Sequence, residues 1–347
     1  RSSAASDVYK RQPIDPAAHG LNRRHCLAGL AALALQPLSA AAAHAAQAYP
    51  QRPVRLVVGF PAGTGPDIVA RVLGQALSSR WGGVGVVVDN KPGAAGIIAA
   101  GEVARAPADG YTLMLAETGQ LCIAPHTYKK LVYDPARDFQ PISQAAIADL
   151  VLLVNPEKTP ARDVQAFAAQ ARAGKGLFMA TFGAGTPGHF GAYMLGDALE
   201  LKTEAVHYRN TGDAIGGLIS GDVQGVFATV GLALPHVQAG KLLALAATGD
   251  RRAPMLPQVP TFAEQGLKDL SFVSWFGVVV PAGIPAEVAR SLETDVAAAM
   301  ADPAVRNRIE ELGFRATGTT AQAFRAQIAA DSRQWGAAVR ATGFTAD

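Results

Sequence analysis

Cysteine is nearly missing from this chain: its 347 residues contain two, Cys26 and Cys122. Cys26 lies in an amino-terminal stretch that reads as removable. One thiol is then left, so neither an internal disulfide nor a cysteine-based metal site is expected. A lone cysteine of this kind is expected to be buried and inert. Net charge is missing too. There are 31 Lys and Arg against 28 Asp and Glu; five of the basic and two of the acidic residues fall within the first 48, leaving 26 of each sign. That balance excludes a basic face for nucleic acid. The histidines past residue 48 are His126, His189, His207 and His236, without metal-ligand spacing, and no His-Glu-x-x-His or Gly-x-Ser-x-Gly pattern occurs. No catalytic constellation and no cofactor is expected. Beyond residue 48 no apolar run reaches the roughly 20 residues that span a bilayer.

The first 48 residues read as a leader. Methionine first occurs at Met114, and Arg1 to Gln12 differ in character from the rest of the chain, so residues 1–12 are expected to be an artefact and the native start to lie near Leu21. From there Arg23 and Arg24 form a charged region, Cys26 to Leu35 an apolar core, and Ala46-Gln47-Ala48 a small-x-small cleavage site before Tyr49. An export signal over about residues 21–48, cleaved near Ala48, places the rest of the chain in the periplasm. Adjacent arginines hint at twin-arginine export, and a retained hydrophobic anchor is the alternative.

After the leader, strand-like and helix-like segments alternate. Strands are predicted over residues 54–58, 85–88, 112–116, 150–154, 178–181, 205–208, 225–227, 243–247 and 276–280. Helices are predicted over about 67–80, 98–105, 161–173, 189–199, 213–220, 285–300, 303–312 and 320–342. Such alternation means an α/β fold with largely parallel sheets and helices on both faces. About 300 residues suffice for two domains. Residues 49–150 plus 277–347 are expected to form one discontinuous lobe and 151–276 the other.

Two strand–Gly-rich turn–helix units recur, one in each half. Gly59-Phe60-Pro61-Ala62-Gly63-Thr64-Gly65-Pro66-Asp67 follows the first strand, and Thr181-Phe182-Gly183-Ala184-Gly185-Thr186-Pro187-Gly188-His189 follows a later one. A turn of this kind offers backbone N–H groups at the positive end of a helix, a seat for an anion. No Lys stands in the P-loop position, so a small carboxylate fits better than a triphosphate. Ligands of such sheets sit at the carboxyl ends of strands. Gly183, Gly185 and Gly188 also match the dinucleotide fingerprint, with Glu204 at about the required distance but ahead of its strand. Several side chains keep two readings. Asp67 either caps its helix or meets a ligand ammonium group. His189 either donates to a ligand or packs and caps. Arg209 either pairs with a ligand carboxylate or is a solvated loop residue. Phe60 and Phe182 either wall the cleft or belong to the core.

Together these residues resemble the Bug family of periplasmic solute receptors, the extracytoplasmic component of tripartite tricarboxylate transporters. The likeness runs from Tyr49-Pro50 and Arg52-Pro53-Val54-Arg55 through Phe60-Pro61-Ala62-Gly63. It continues through Val88-Asp89-Asn90-Lys91-Pro92-Gly93-Ala94-Ala95-Gly96, Ala106-Pro107-Ala108-Asp109-Gly110-Tyr111-Thr112-Leu113 and Tyr133-Asp134-Pro135. Gly185-Thr186-Pro187 with His189, Leu234-Pro235-His236, Pro257-Gln258-Val259-Pro260-Thr261 and Trp275-Phe276-Gly277 complete it. The resemblance implies a two-domain Venus-flytrap receptor without enzymatic activity, gripping a carboxylate with backbone amides and ordered waters at the first Gly-rich loop and a second carboxyl at residues 183–189. Relative to the family pattern, Ala62 and Thr64 replace Pro and Gly, Gln120 a Thr, Ala184 an Asn, Asn210 a Gly, and Ala228 stands at or near an Asp. These departures imply a less polar or differently shaped acid than the usual dicarboxylate.

The expected ligand contacts are Phe60, Ala62, Gly63, Thr64, Gly65, Asp67, Gln120, Ala184, Gly185, Thr186, His189 and Arg209, with main-chain N–H groups and the Thr186 hydroxyl doing most of the gripping. The expected partners are a small carboxylate and membrane permease subunits, with the receptor a monomer. The competing readings are an exported α/β oxidoreductase that binds a dinucleotide at Gly183–Gly188, and a sensory receptor for a two-component kinase.

Overall fold

The computed structural model describes residues 49–174, 176–208 and 210–346. The expectations for residues 1–48, export signal and cleavage site included, and the one for Arg209 lie outside the described residues.

In chain order the strands are β1 (Val54–Val58), β2 (Val86–Asn90), β3 (Thr112–Glu117), β4 (Phe139–Ala148), β5 (Leu150–Val154), β6 (Leu177–Thr181), β7 (Thr203–His207), β8 (Gly225–Thr229), β9 (Leu243–Ala247), β10 (Ser274–Pro281) and β11 (Arg315–Ala316). The principal helices are α1 (Gly65–Arg80), α2 (Ile97–Val103), α3 (Val164–Ala173), α4 (Pro187–Ala198), α5 (Thr211–Ser220), α6 (Val230–Gln238), α7 (Ala286–Ala301), α8 (Pro303–Glu310) and α9 (Ala321–Thr342). A π-helical turn, Gly119–Ile123, follows β3.

Two sheets result, in the order β11-β4-β10-β3-β1-β2 and β7-β6-β8-β5-β9. The chain passes from the first sheet to the second at Asp149, the single residue between β4 and β5, and returns between β9 and β10. β1 runs parallel to β2 and β3, and β6 parallel to β7 and β8. The other pairings are antiparallel: β10 with β3 and β4, β11 with β4, and β5 with β8 and β9. The expected parallelism therefore holds for the β-α-β portions that carry the Gly-rich turns. It gives way to mixed pairing where strands join without a crossover helix, which parallel pairing requires.

Burial follows composition. In β1 every residue but Arg55 is buried, and all eight of β10 are buried, the pattern of strands covered on both faces. α1 buries Val69, Ala70, Leu73 and Leu77 along one stripe, the spacing of an amphipathic helix. β4 is the longest strand that sequence pattern misses. It contains Pro141, Ser143 and Gln144, which break the apolar pattern of a buried strand. The proline is accommodated at a register shift against β10, between the Val278–Ser143 and Val279–Pro141 pairs. The segment after β11 satisfies the Ser143 side chain and the Gln144 main chain: Ser143 Oγ donates to the Thr319 carbonyl (2.7 Å), and Gln144 N donates to Thr319 Oγ1 (3.0 Å).

Candidate functional site

The parallel strands end at Val58, Asn90 and Glu117 in the first sheet and at Thr181, His207 and Thr229 in the second. The first Gly-rich turn leaves β1 and enters α1. Gly63 adopts φ +81° there, with no atom within 4 Å of where a Cβ would stand. The turn is held from below by Asp67, which is buried. Its Oδ2 accepts from Gly63 N (2.8 Å) and Arg71 Nε (3.0 Å), and its Oδ1 accepts from Asn90 Nδ2 (2.9 Å). Burial opposes the Asp67 charge, yet the bonds from Arg71, Gly63 and Asn90 together hold its carboxyl below the ordinary carboxylate range. Asn90 Nδ2 also donates to the Phe60 carbonyl (2.9 Å). The structure thus gives Asp67 the structural role and leaves no oxygen of it over for a ligand ammonium.

Thr64 occupies the N-cap of α1 but does not cap it; its hydroxyl donates instead to the Pro61 carbonyl (2.6 Å). Gly63 N is used by Asp67 and Thr64 N by Pro61 O. The N–H groups of Phe60, Ala62 and Gly65 have no acceptor among the described residues. These orphan donors lie at the positive end of a 16-residue helix.

The second turn leaves β6 and enters α4. Here the N-cap does cap: Thr186 Oγ1 accepts from His189 N (3.3 Å) and donates to the Gly183 carbonyl (2.9 Å). The hydroxyl expected to grip a ligand is committed to closing its own turn. Gly185 N donates to His189 Nδ1 (3.2 Å), so this amide too is occupied. His189 is fully buried among Phe190, Tyr193, His207 and Phe344, at ring-centroid distances of 4.5–5.4 Å. Burial first, and the neighbouring His207 second, lower its pKa to about 4. The ring is neutral, with Nδ1 as acceptor, so the proton is on Nε2, which has no partner among the described residues. The packing-and-support role is thus visible, and one donor remains. The N–H groups of Ala184, Thr186 and Gly188 have no acceptor among the described residues. Glu204 lies second in β7, well before that strand's carboxyl end at His207, so the fingerprint lacks its ribose-binding carboxylate at the turn.

Residues 117–120 connect the two turns. Gln120 is buried; its Oε1 accepts from Glu117 N (2.9 Å), and its Nε2 is without a partner among the described residues. That amide rests against Gly59 and Gly96, where any Cβ would collide with it. Gly96 closes a strained segment in which Ala94 and Ala95 also take positive φ, 46° and 51°, at a cost of about 1–2 kcal/mol each. On the other side, a Cβ on Gly119 would stand 3.7 Å from the Gly185 carbonyl oxygen. The 117–120 segment therefore packs on the start of the first turn and lies near the Gly185 carbonyl of the second.

Of the residues expected at the site, Phe60 to Gly65 lie in the first turn and Ala184 to His189 in the second, and Gln120 packs on Gly59, where the first turn begins. Phe60 is half-buried against the core of the first sheet and Phe182 against that of the second. Sequence pattern does not single out Glu117, Asn90 or Gly96. Asn90 and Gly96 belong to the Asp89–Gly96 run, which is conspicuous for its glycines, whereas Glu117 carries no sequence signal beyond being a charge at the end of an apolar strand.

Residues 69–344 match the family model described as tripartite tricarboxylate transporter family receptor. A Pseudomonas sp. (strain P51) protein, described as the UPF0065 protein in the tcbD-tcbE intergenic region, is 33% identical over 91% of this chain and 93% of its own length. Protein BugT of Bordetella pertussis is 31% identical over 87% of this chain and 93% of its own length. Among solved structures, one from R. palustris with adipate superposes with a TM-score of 0.77 at 31% identity, covering 86% of this chain and 99% of that one. MatC from Rhodopseudomonas palustris with bound malate gives 0.74 at 28% identity, covering 84% and 100%. The periplasmic binding protein BugD gives 0.75 at 30% identity, covering 86% and 99%. These likenesses agree with an α/β fold of two domains.

Proposed function

Since the chain belongs to the tripartite tricarboxylate transporter receptor family, we propose that it is a periplasmic receptor that captures a small organic carboxylate between its two sheets and delivers it, unaltered, to membrane permease subunits. The observation that carries this reading is the set of N–H groups without an acceptor among the described residues in the two Gly-rich turns, Phe60, Ala62 and Gly65 on one side and Ala184, Thr186 and Gly188 on the other. Each charge-assisted bond from such a donor contributes about 1.5–3 kcal/mol. Donors at two separate turns suit an acid with more than one oxygen-bearing end, and adipate and malate, found with two relatives, are dicarboxylates. The bodies built on the two sheets, divided close to the expected limits of 49–150 plus 277–347 and 151–276 but with Leu150 in the second and all of β10 in the first, close over the ligand by a hinge motion. The protein works as a monomer, and residues up to about Ala48 serve as the export leader.

Native mass spectrometry of freshly purified protein is the direct test, because it weighs whatever acid copurifies. Incubation with that acid should return it unchanged and raise the melting temperature; product formation would make the protein an enzyme. Gly63→Val should bind at least tenfold more weakly. The space around Gly63 is open, so the penalty comes from forcing a β-branched residue to positive φ. Unchanged affinity would remove the first turn from the site.

A further inference from the structure

Glu117 is the charge that this site does not explain. It ends β3, at the carboxyl edge where the parallel strands deliver their loops. Its backbone is fixed by Gln120 Oε1, yet its carboxylate has no hydrogen bond or ion pair among the described residues. Gly119 beside it has no side chain, and the point where a Cβ would stand is bounded by Glu117 Oε1 at 3.2 Å and by the Gly185 carbonyl oxygen of the opposite turn at 3.7 Å. Two acceptors, one at the end of β3 and one from the second turn, thus border one slot that only a glycine leaves open. Amide donors favour an anion, whereas a carbonyl oxygen beside an ionised Glu117 favours a cation.

We propose that Glu117 and the Gly185 carbonyl form a subsite for a cationic nitrogen, so that the ligand is an acid that also carries an ammonium or similar protonated nitrogen. This rests on the carboxylate-receptor reading and narrows it. A cation there satisfies both oxygens and offsets the cost of desolvating the Glu117 charge; burial alone moves that carboxyl up to about 8. A plain dicarboxylate would instead leave Glu117 without a counter-charge among the described residues, so that its carboxyl keeps its proton. The cationic role that sequence pattern leaves open for Asp67 thereby passes to a side chain whose oxygens are free.

The test uses pairs of probes that differ by one ammonium: succinate and aspartate, adipate and 2-aminoadipate, hexanoate and 6-aminohexanoate. Their affinities are measured by calorimetry on the full chain. For at least one pair the wild-type protein should bind the amino form tenfold or more tightly. Glu117→Gln should abolish or invert that ratio while still binding the amine-free acid. Gly119→Ala, which needs no unusual backbone geometry, should fill the slot and likewise abolish the preference. If wild type binds the acids without preferring the amine, or if both variants keep the wild-type ratio, the subsite is wrong while the carboxylate reading stands. Tighter binding of the amine-free acids to wild type, lost in Glu117→Gln, would mean that a protonated Glu117 donates to a carboxylate, which also overturns the proposal. If neither the probes nor a copurified acid binds, both readings fall together.

Discussion

His189 is held as a neutral base by its surroundings, and acid therefore destabilises the fold. Its pKa is about 4 in the folded protein against the ordinary 6.5. Between those values the unfolded chain takes up a proton that the folded protein refuses. The contribution is fully present above about pH 6.5 and is lost as pH falls toward 4, up to about 3 kcal/mol in total. Urea midpoints measured from pH 7.5 down to 4 should therefore decline more steeply for wild type than for His189→Gln, which keeps an acceptor for Gly185 N but does not titrate. His207, 4.7 Å away, is also lowered by burial and adds a slope of its own, which is why the comparison is between variant and parent. Parallel curves would mean that His189 charges freely in the folded state and is not enclosed by its aromatic neighbours.

The two helix starts look alike in sequence and differ in what their threonines do. Thr186 caps α4 through His189 N, while Thr64 leaves α1 uncapped and turns back to Pro61. Thr186→Ala should cost about 1 kcal/mol and lower the melting temperature, whereas Thr64→Ala should cost less because no helix donor loses its partner. Equal losses in thermal unfolding would contradict the difference in capping. Most of these elements are legible in the sequence. The strands at 54–58, 150–154 and 243–247 agree with the structure to the residue, because short, largely apolar runs close to Gly, Pro or polar residues leave little choice. β4 is not legible, since its Pro141, Ser143 and Gln144 are acceptable only with the β10 register shift and Thr319 in place. The π-turn at 119–123 and α6, which contains Pro235, escape for the same reason: tertiary contacts decide them. At the site, the Gly-rich turns are visible as pattern, but which N–H groups remain free depends on where Asp67, His189 and Thr186 spend their hydrogen bonds, and that only three dimensions reveal.

Across the whole molecule, the crossover at Asp149 matters more than its single residue suggests. Arg315 in β11 donates to both Asp149 oxygens, Nε to Oδ2 at 2.7 Å and Nη2 to Oδ1 at 2.9 Å. Asp149 is 3% and Arg315 16% exposed at the side chain. The same residue's carbonyl accepts from Val230 N at the start of α6 (3.2 Å). One buried pair thus ties the edge strand of the first sheet to the link with the second and to a helix beyond it. Burial pushes the Asp149 carboxyl up, against the pull of Arg315, so the charge is tolerated because of its partner. Arg315→Met should leave an uncompensated buried carboxyl, with Asp250 nearby adding repulsion, at a cost of about 3–5 kcal/mol. Asp149→Asn combined with Arg315→Met should recover a substantial part of that loss, because removing both charges also removes the desolvation penalty that the single variant exposes. Urea unfolding of the two single variants and the double variant reads this as a coupling. If the three losses simply add, the two side chains act independently and the crossover owes its position to the β4 and β5 ladders alone.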